Sequence, residues 1–346
     1  MNPFRIALGV LAIGVVAWLG FELAGGPSRD GGTSSTPMTF ATSADCRQCH
    51  AEVYDEWAMS EHANAWTGPE VRLLSMDFAN QDCIDCHAPS PVFQSGIGER
   101  VRPRNVRQVE GVDCITCHLL PDGGVAGTRS DPRAACRPVA RAELSSAEHC
   151  AGCHNQHGTV DQWRASRFAA QGVGCIDCHM PHRGGDPSRG RSHASPGGTD
   201  IELVRGAIAL RGGAQDGVWY VEVENIGAGH SFPTDERSRA ADLFWRPQAA
   251  QDDAPLPWRH LARLRDPYRT EVDVPTTLLA AHETRRYEVR SGPSDPHRHT
   301  LAPVGDPVQG PIEVALFYKR SPYYADPAAP DPEREARLVH RIVLAP

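Results

Sequence analysis

The apolar positions divide the chain into three stretches of different character. Residues 6–21 are an unbroken apolar run, with Arg5 before it and Glu22 after it. Its length lies between a signal-peptide core and a full membrane span. No small-x-small cleavage pattern follows, because Glu22 would stand three residues before a cut after Ala24. The run (residues 1–24) is therefore expected to be an N-terminal anchor or signal, an uncleaved anchor being favoured over a removed signal, with Arg5 favouring a cytoplasmic N-terminus. Residues 25–42 are rich in Gly, Ser, Thr and Pro and read as a flexible tether. Residues 43–198 hold only short helical patterns, the clearest over 51–66 (AEVYDEWAMSEHANAW). After the Pro-Gly-Gly of 196–198 the pattern changes. Segment 201–210, the partly alternating VWYVEVE of 218–224, and 284–290, 312–318 and 338–344 are separated by turn residues. The expected fold is mixed. A mainly helical, loop-rich domain over 43–198 is followed by an all-β immunoglobulin-like sandwich over 199–346.

The shortage of apolar periodicity in 43–198 is explained by its cysteines. Five times the chain reads Cys, two residues, Cys, His. The sets are Cys46, Cys49 and His50; Cys83, Cys86 and His87; Cys114, Cys117 and His118; Cys150, Cys153 and His154; and Cys175, Cys178 and His179. This is the attachment signature of c-type haem. Two thiols on one helical turn can form thioethers to one porphyrin, and the histidine that follows is placed to bind its iron. Zinc sites use Cys-x-x-Cys pairs without needing a histidine after each one. Five such histidines by chance is roughly a 1-in-a-million event. The first cysteines are 37, 31, 36 and 25 residues apart, too few to build a protein core between porphyrins. The five covalently bound haem c groups are therefore expected to supply the apolar centre themselves and to lie close together, as a path for electrons.

Composition adds little beyond this. The formal net charge is −8, and one of the 35 basic residues is a lysine, Lys319. Arginine forks suit carboxylates, so the cluster Arg100, Arg102, Arg104 and Arg107 is a candidate clamp for haem propionates or an ordinary charged loop. Nothing suggests nucleic-acid binding. Of the 11 cysteines, Cys136 alone lies outside the motifs and reads as a small buried thiol.

Each iron needs a sixth ligand or stays open. Trp57-Ala58-Met59-Ser60-Glu61-His62 recurs as Trp163-Arg164-Ala165-Ser166-Arg167-Phe168, a W-x-x-S-x-H repeat whose second copy has lost its histidine. Residues 45–66 resemble the first haem segment of the tetrahaem cytochrome c family of ammonia oxidisers. Residues 150–198 resemble the C-x-x-C-H … W-x-x-S … G-V-x-C-x-D-C-H-M-P … S-H-x-x-x-G-G stretch of many multihaem cytochromes. Residues 225–234 (NIGAGHSFPT) resemble part of the β-rich region of such proteins. The resemblance implies distal-ligand roles for His62, His193 and His230, the last pinning the β domain onto the haems. With Phe168 in place of a histidine, one iron takes its ligand elsewhere, His157 being the nearest candidate, or remains five-coordinate. His149 and His182, beside the motifs, read as structural or propionate-binding. His260, His282, His297, His299 and His340 read as surface residues. Met59, Met76 and Met180 are weaker candidates than a second histidine, and Met180 cannot reach round its own His179.

The expected function is electron transfer on the periplasmic side of a bacterial inner membrane. The donor would be a quinol-oxidising partner and the acceptor periplasmic or in the outer membrane. One alternative is an oxidoreductase acting on a small nitrogen or sulfur compound at an open haem. Pentahaem nitrite reductases use a C-x-x-C-K motif, and Lys319 is far from any cysteine pair. Another alternative is a protomer of a conducting filament, which a retained anchor would oppose.

Overall fold

The motif helices are short, and most of them are fixed by capping in the first turn. A computed structural model describes residues 39–345 apart from 235–236, 250–253, 269 and 293–304. The anchor run, most of the tether, His297 and His299 lie outside the described residues. Among the described residues no helix is long and apolar enough to cross a membrane.

Helix Cys114–His118 starts at Asp113, whose carboxylate accepts from Thr116 N (2.7 Å) and Thr116 Oγ1 (2.7 Å). Ser146 caps Ala147–His154 by accepting from His149 N at 3.3 Å. Asp177 reaches back to Gly174 N (2.8 Å) at the start of Cys175–His179. The remaining motifs span helix Ser43–Arg47 with His50 as the N-cap of Ala51–Ala58, and a 3₁₀ turn (Gln81–Cys83) leading into Ile84–His87. Helices this short are not stable alone and depend on tertiary contacts. The helical pattern of 51–66 is interrupted after Ala58 and resumes as a 3₁₀ turn at Ala63–Ala65.

The first strands, β1 (Ala126–Gly127) and β2 (Val139–Ala140), make a small parallel pair inside the haem region. The β region holds β3 (Ile208–Gln215), β4 (Val218–Asn225), β5 (Ala240–Pro247), β6 (Arg259–Leu264), β7 (Thr284–Glu288), β8 (Ile312–Lys319) and β9 (Arg337–Leu344). They form two antiparallel sheets, ordered β3-β4-β7 and β6-β5-β8-β9. One buried cluster takes Ile208, Val221 and Val223 from the first sheet and Leu243, Trp245, Leu264 and Leu316 from the second. His340 Nε2 lies 2.7 Å from the Ile208 carbonyl, bonding β9 to β3.

Two expectations need correction. Segment 201–210 is not one strand: Ile201–Ala207 is helical. Asp200 accepts from Glu202 N (2.9 Å) and Leu203 N (3.2 Å), so an N-cap overrides the local strand-like composition. The sequence pattern also leaves β5 and β6 unmarked. β5 (AADLFWRP) is buried on both faces, since Tyr324, Trp258 and Ala336 join Phe244 in a second cluster away from the main core. A strand covered on both faces shows no alternation.

Candidate haem centres

Three of the five motif histidines face a second imidazole. The ring centroids of His154 and His62 are 6.1 Å apart, those of His118 and His193 6.3 Å, and those of His179 and His230 6.3 Å. Metal–imidazole bonds of about 2.0–2.1 Å on both sides of one metal place two ring centroids about 6 Å apart. The described residues thus fit an iron between each pair. The His118–His193 and His179–His230 rings are also close to parallel, at 29° and 15°.

The other ring nitrogen is oriented as metal-bound histidines usually are. Nδ1 of His87 donates to the Ala65 carbonyl (2.7 Å), that of His118 to Ala126 (2.9 Å) and that of His179 to Pro196 (2.7 Å). His193 and His230 direct Nδ1 to Arg191 O (3.1 Å) and Ser231 O (3.0 Å). Each bond fixes the tautomer that leaves Nε2 for the metal. Burial pushes the His118 imidazole below its ordinary range, and burial together with His118 pushes His193 down to about 4. Both are therefore neutral near pH 7, the form that binds a metal.

Each motif sets its two thiols on one helical turn, three of them within a single helix. Cys114 and Cys117 lie within Cys114–His118, Cys150 and Cys153 within Ala147–His154, and Cys175 and Cys178 within Cys175–His179. Cys49 lies on the turn that continues from Cys46. It falls in the turn after helix Ser43–Arg47, where its N–H donates to Cys46 O at 3.2 Å, and its side is exposed. Cys86 lies in Ile84–His87, whereas its partner Cys83 ends the preceding 3₁₀ turn. Both motifs are capped upstream: Asp45 accepts from Ala41 N (2.9 Å) and Thr42 N (3.0 Å) before Cys46, and Asn80 accepts from Asp82 N (3.1 Å) before Cys83. Cys86 and Cys153 are partly buried and Cys178 is exposed, while burial pushes the Cys117 thiol up to about 12.

Thiols of different motifs also come together: Cys46 lies close enough to Cys114 for its thiol pKa to be pushed up, and Cys150 lies likewise beside Cys175. The first motif therefore abuts the third, and the fourth abuts the fifth. Cys136 lies close enough to Cys46 to raise its thiol pKa further.

Phe168, where the repeat loses its histidine, lies at the edge of the β region. Phe168 and Trp163 pack on Gly229, where a Cβ would lie 3.4 Å and 3.1 Å from their ring carbons, and His230 follows directly. His157 makes no ring contact with a motif histidine among the described residues, and its buried Nδ1 has no hydrogen-bond partner. His50 and His87 have no second imidazole in ring contact among the described residues. His87 instead has Phe78 beside it at 5.8 Å, tilted by 58°. Phe78 is buried and stacks on Trp66 at 4.0 Å, with Arg72 over both rings.

Other residues differ from expectation. Arg104 does not point out towards a propionate. It is 7% exposed and donates to the carbonyls of Pro89 (2.6 Å) and Gly111 (2.6 Å) and to Thr116 Oγ1 (2.9 Å). With Arg107 it also pairs with the capping Asp113 at 3.3 Å, so both arginines hold the third motif helix. Arg100 pairs with Asp85 at 2.9 Å. Of the later histidines, His260 is buried 3.6 Å from Asp242, and His282 lies against Phe168 at 5.1 Å. His149 and His182 keep places beside the motifs. Burial together with His118 pushes His149 down to about 4, and neither of its ring nitrogens has a hydrogen-bond partner. Met59 and Met76 are 81% and 71% exposed.

Sequence comparison matches residues 45–119 to the family described as cytochrome c554 and c-prime. No curated protein matches the chain. Among solved structures, a penta-heme cytochrome c552 from Thermochromatium tepidum shares the fold. The TM-score is 0.58 at 18% identity, over 87% of this chain and 98% of that one. A β-glucosidase from Listeria innocua aligns over 40% of this chain and 16% of its own, at 15% identity and a TM-score of 0.17, too low to indicate a shared fold. The family match, the five attachment motifs and the facing imidazoles together support a multihaem c-type cytochrome, a protein that transfers electrons through covalently bound haem.

Proposed function

We propose that the chain carries five haem c groups, one per motif, and conducts electrons between a quinol-oxidising membrane partner and a downstream periplasmic or outer-membrane acceptor. The observation that carries this reading is the set of facing histidine pairs at 6.1–6.3 Å, which closes three iron sites to substrate. Haem iron, when bound, supplies one-electron chemistry with a potential set by its axial ligands. The protein's part is positional. His50, His87, His118, His154 and His179 are the proximal ligands, and His62, His193 and His230 the distal ligands of the fourth, third and fifth motifs. Each motif's two cysteines are its thioether donors, among them Cys49, Cys86 and Cys153, whose role rests on the motif spacing. The nearness of Cys46 to Cys114 and of Cys150 to Cys175 supports close spacing of the haems these motifs would hold. The likeness of residues 45–66 to the tetrahaem cytochromes of ammonia oxidisers supports the same reading. The chain then divides into a haem domain (43–198) and an immunoglobulin-like β domain (199–346), tethered through residues 25–42 to an N-terminal anchor. Redox titration followed by electron paramagnetic resonance tests the proposal. The expected result is at least three low-spin haems, and a wholly high-spin protein would refute it.

A second reading rests on His50 and His87, which lack a facing imidazole among the described residues. An iron open at either site would bind a small nitrogen or sulfur compound and make the protein an oxidoreductase. Carbon monoxide added to the reduced protein decides between the two: an unchanged low-spin spectrum removes the second reading.

A further inference from the structure

The haem region repeats itself more closely in space than in sequence. Trp57 donates its Nε1–H to Val112 O (2.8 Å), and Trp163 donates to Val173 O (2.9 Å). Both acceptors lie two residues before a motif cysteine, Cys114 and Cys175. Ser60 Oγ returns to Trp57 O (2.6 Å) and Ser166 Oγ to Trp163 O (2.8 Å). Val112 N donates to the carbonyl of His62 (2.8 Å), and Val173 N to that of Phe168 (2.9 Å). The Cys46–Cys114 and Cys150–Cys175 contacts complete the correspondence. The first and third motifs thus form one two-haem unit and the fourth and fifth another, with the second motif inserted in the first unit.

The position before each tryptophan extends the rule to a residue the sequence repeat does not mark. Glu56 Oε2 accepts from His193 N at 2.8 Å, and both its oxygens bind Arg183 at 2.7 Å. Gln162 Oε1 accepts from Ser231 N at 3.0 Å, one residue after His230, and from Thr234 Oγ1 at 3.3 Å. In each unit this side chain grips the backbone of the segment that brings a histidine to the unit's second motif: His193 to His118, and His230 to His179.

We propose that Glu56 and Gln162 are equivalent positioning residues that seat the distal histidine delivered by the next part of the chain. The β domain therefore docks where a further haem unit would dock, using the same acceptor. A backbone N–H held within hydrogen-bond distance restricts the loop to one placement, and a metal–ligand contact tolerates little displacement. The inference rests on His193 and His230 being iron ligands, and the experiment separates the two claims.

The full-length holoprotein is compared with its H193A, H230A, E56A, Q162A, E56Q and Q162E variants, each checked for full haem content. The readouts are electron paramagnetic resonance and carbon monoxide binding. H193A and H230A are expected each to lose one low-spin signal and gain one carbon-monoxide-reactive haem. E56A is expected to reproduce the H193A change and Q162A the H230A change, at least in part. E56Q and Q162E, which keep an acceptor oxygen, are expected to remain low-spin. Wild-type spectra for both E56A and Q162A, alongside altered H193A and H230A, would overturn the positioning rule. Unaltered H193A and H230A would overturn the ligand assignment and the rule with it. The two sites are read independently, so if one variant fails to mature the other still decides.

Discussion

At the scale of the residue, chemistry that is local in sequence is legible and chemistry that spans it is not. The five motifs announce themselves because a thioether pair and its histidine must lie within a few residues. Even there the sequence hides detail: the spacing of Cys49 is identical to that of Cys117, yet one sits in an exposed turn and the other inside a helix. His62 can be found from the W-x-x-S-x-H repeat. Glu56 and Gln162 cannot, because one is a carboxylate, the other an amide, and their partners lie 137 and 69 residues away. Arg104 reads as a propionate clamp or an ordinary loop charge for the same reason: its bonding takes shape only once Pro89, Gly111 and Thr116 are brought together. In the β region Asp242, fully buried, accepts from Arg263 Nε (2.6 Å) and Nη2 (2.9 Å) and from Tyr324 Oη (2.8 Å). Burial alone would raise its pKa, but the Arg263 guanidinium overrides this and holds it below the usual carboxylate range. Replacing one partner leaves the other charge buried and unpaired, so Asp242→Asn is expected to lower stability by about 3–5 kcal/mol in denaturant melts. A depressed native pKa stabilises at pH values above the unfolded pKa. The Asp242 contribution is therefore complete above pH about 4 and is lost as pH falls from there through the native pKa. An acid melt should show the wild type losing stability in that range and Asp242→Asn losing less.

At the scale of the element, the turns decide more than the helices. Gly111 has φ +58°, and a Cβ there would lie 2.3 Å from the carbonyl oxygen of His62. Gly111→Ala must displace the backbone of the residue that faces His154. It adds left-handed strain of about 1–2 kcal/mol besides. The expected outcome is a lower melting temperature and a gain of one high-spin haem in the resonance spectrum. The strand signal is clear where one face is wet, as in β4 with its strict alternation of buried and half-buried positions. It vanishes in β5, whose two sides are both covered. The Asp200 cap shows the converse: one side chain accepting two N–H groups turns an expected strand into helix Ile201–Ala207.

At the scale of the whole molecule, the β region is joined to the haem region by charge as well as by Gln162. Arg239 pairs with Glu70 at 3.1 Å, and Arg320 reaches Glu70 and Glu61, the neighbour of His62. These groups are partly exposed, so each pair contributes about 1 kcal/mol or less. Glu70→Arg reverses both contacts of that carboxylate and is expected to lower the melting temperature, with the difference shrinking in high salt. The mixture of helix and sheet is legible from composition and spacing. The way the parts meet is not, because a docking surface made of Gly229, Gln162 and Glu70 has no periodicity to read. The contact between Cys46 and Cys114 also bears on how the molecule is made. Thiols from different motifs that touch in the folded chain compete, in an oxidising compartment, between cross-linking to each other and capturing a vinyl group. Maturation therefore depends on cofactor arriving before the first and third motifs meet, or on a reductant that reopens the wrong bond. Mass spectrometry of protein made without haem supply should find Cys46 bonded to Cys114 and Cys150 to Cys175, and such chains should refuse later loading until reduced.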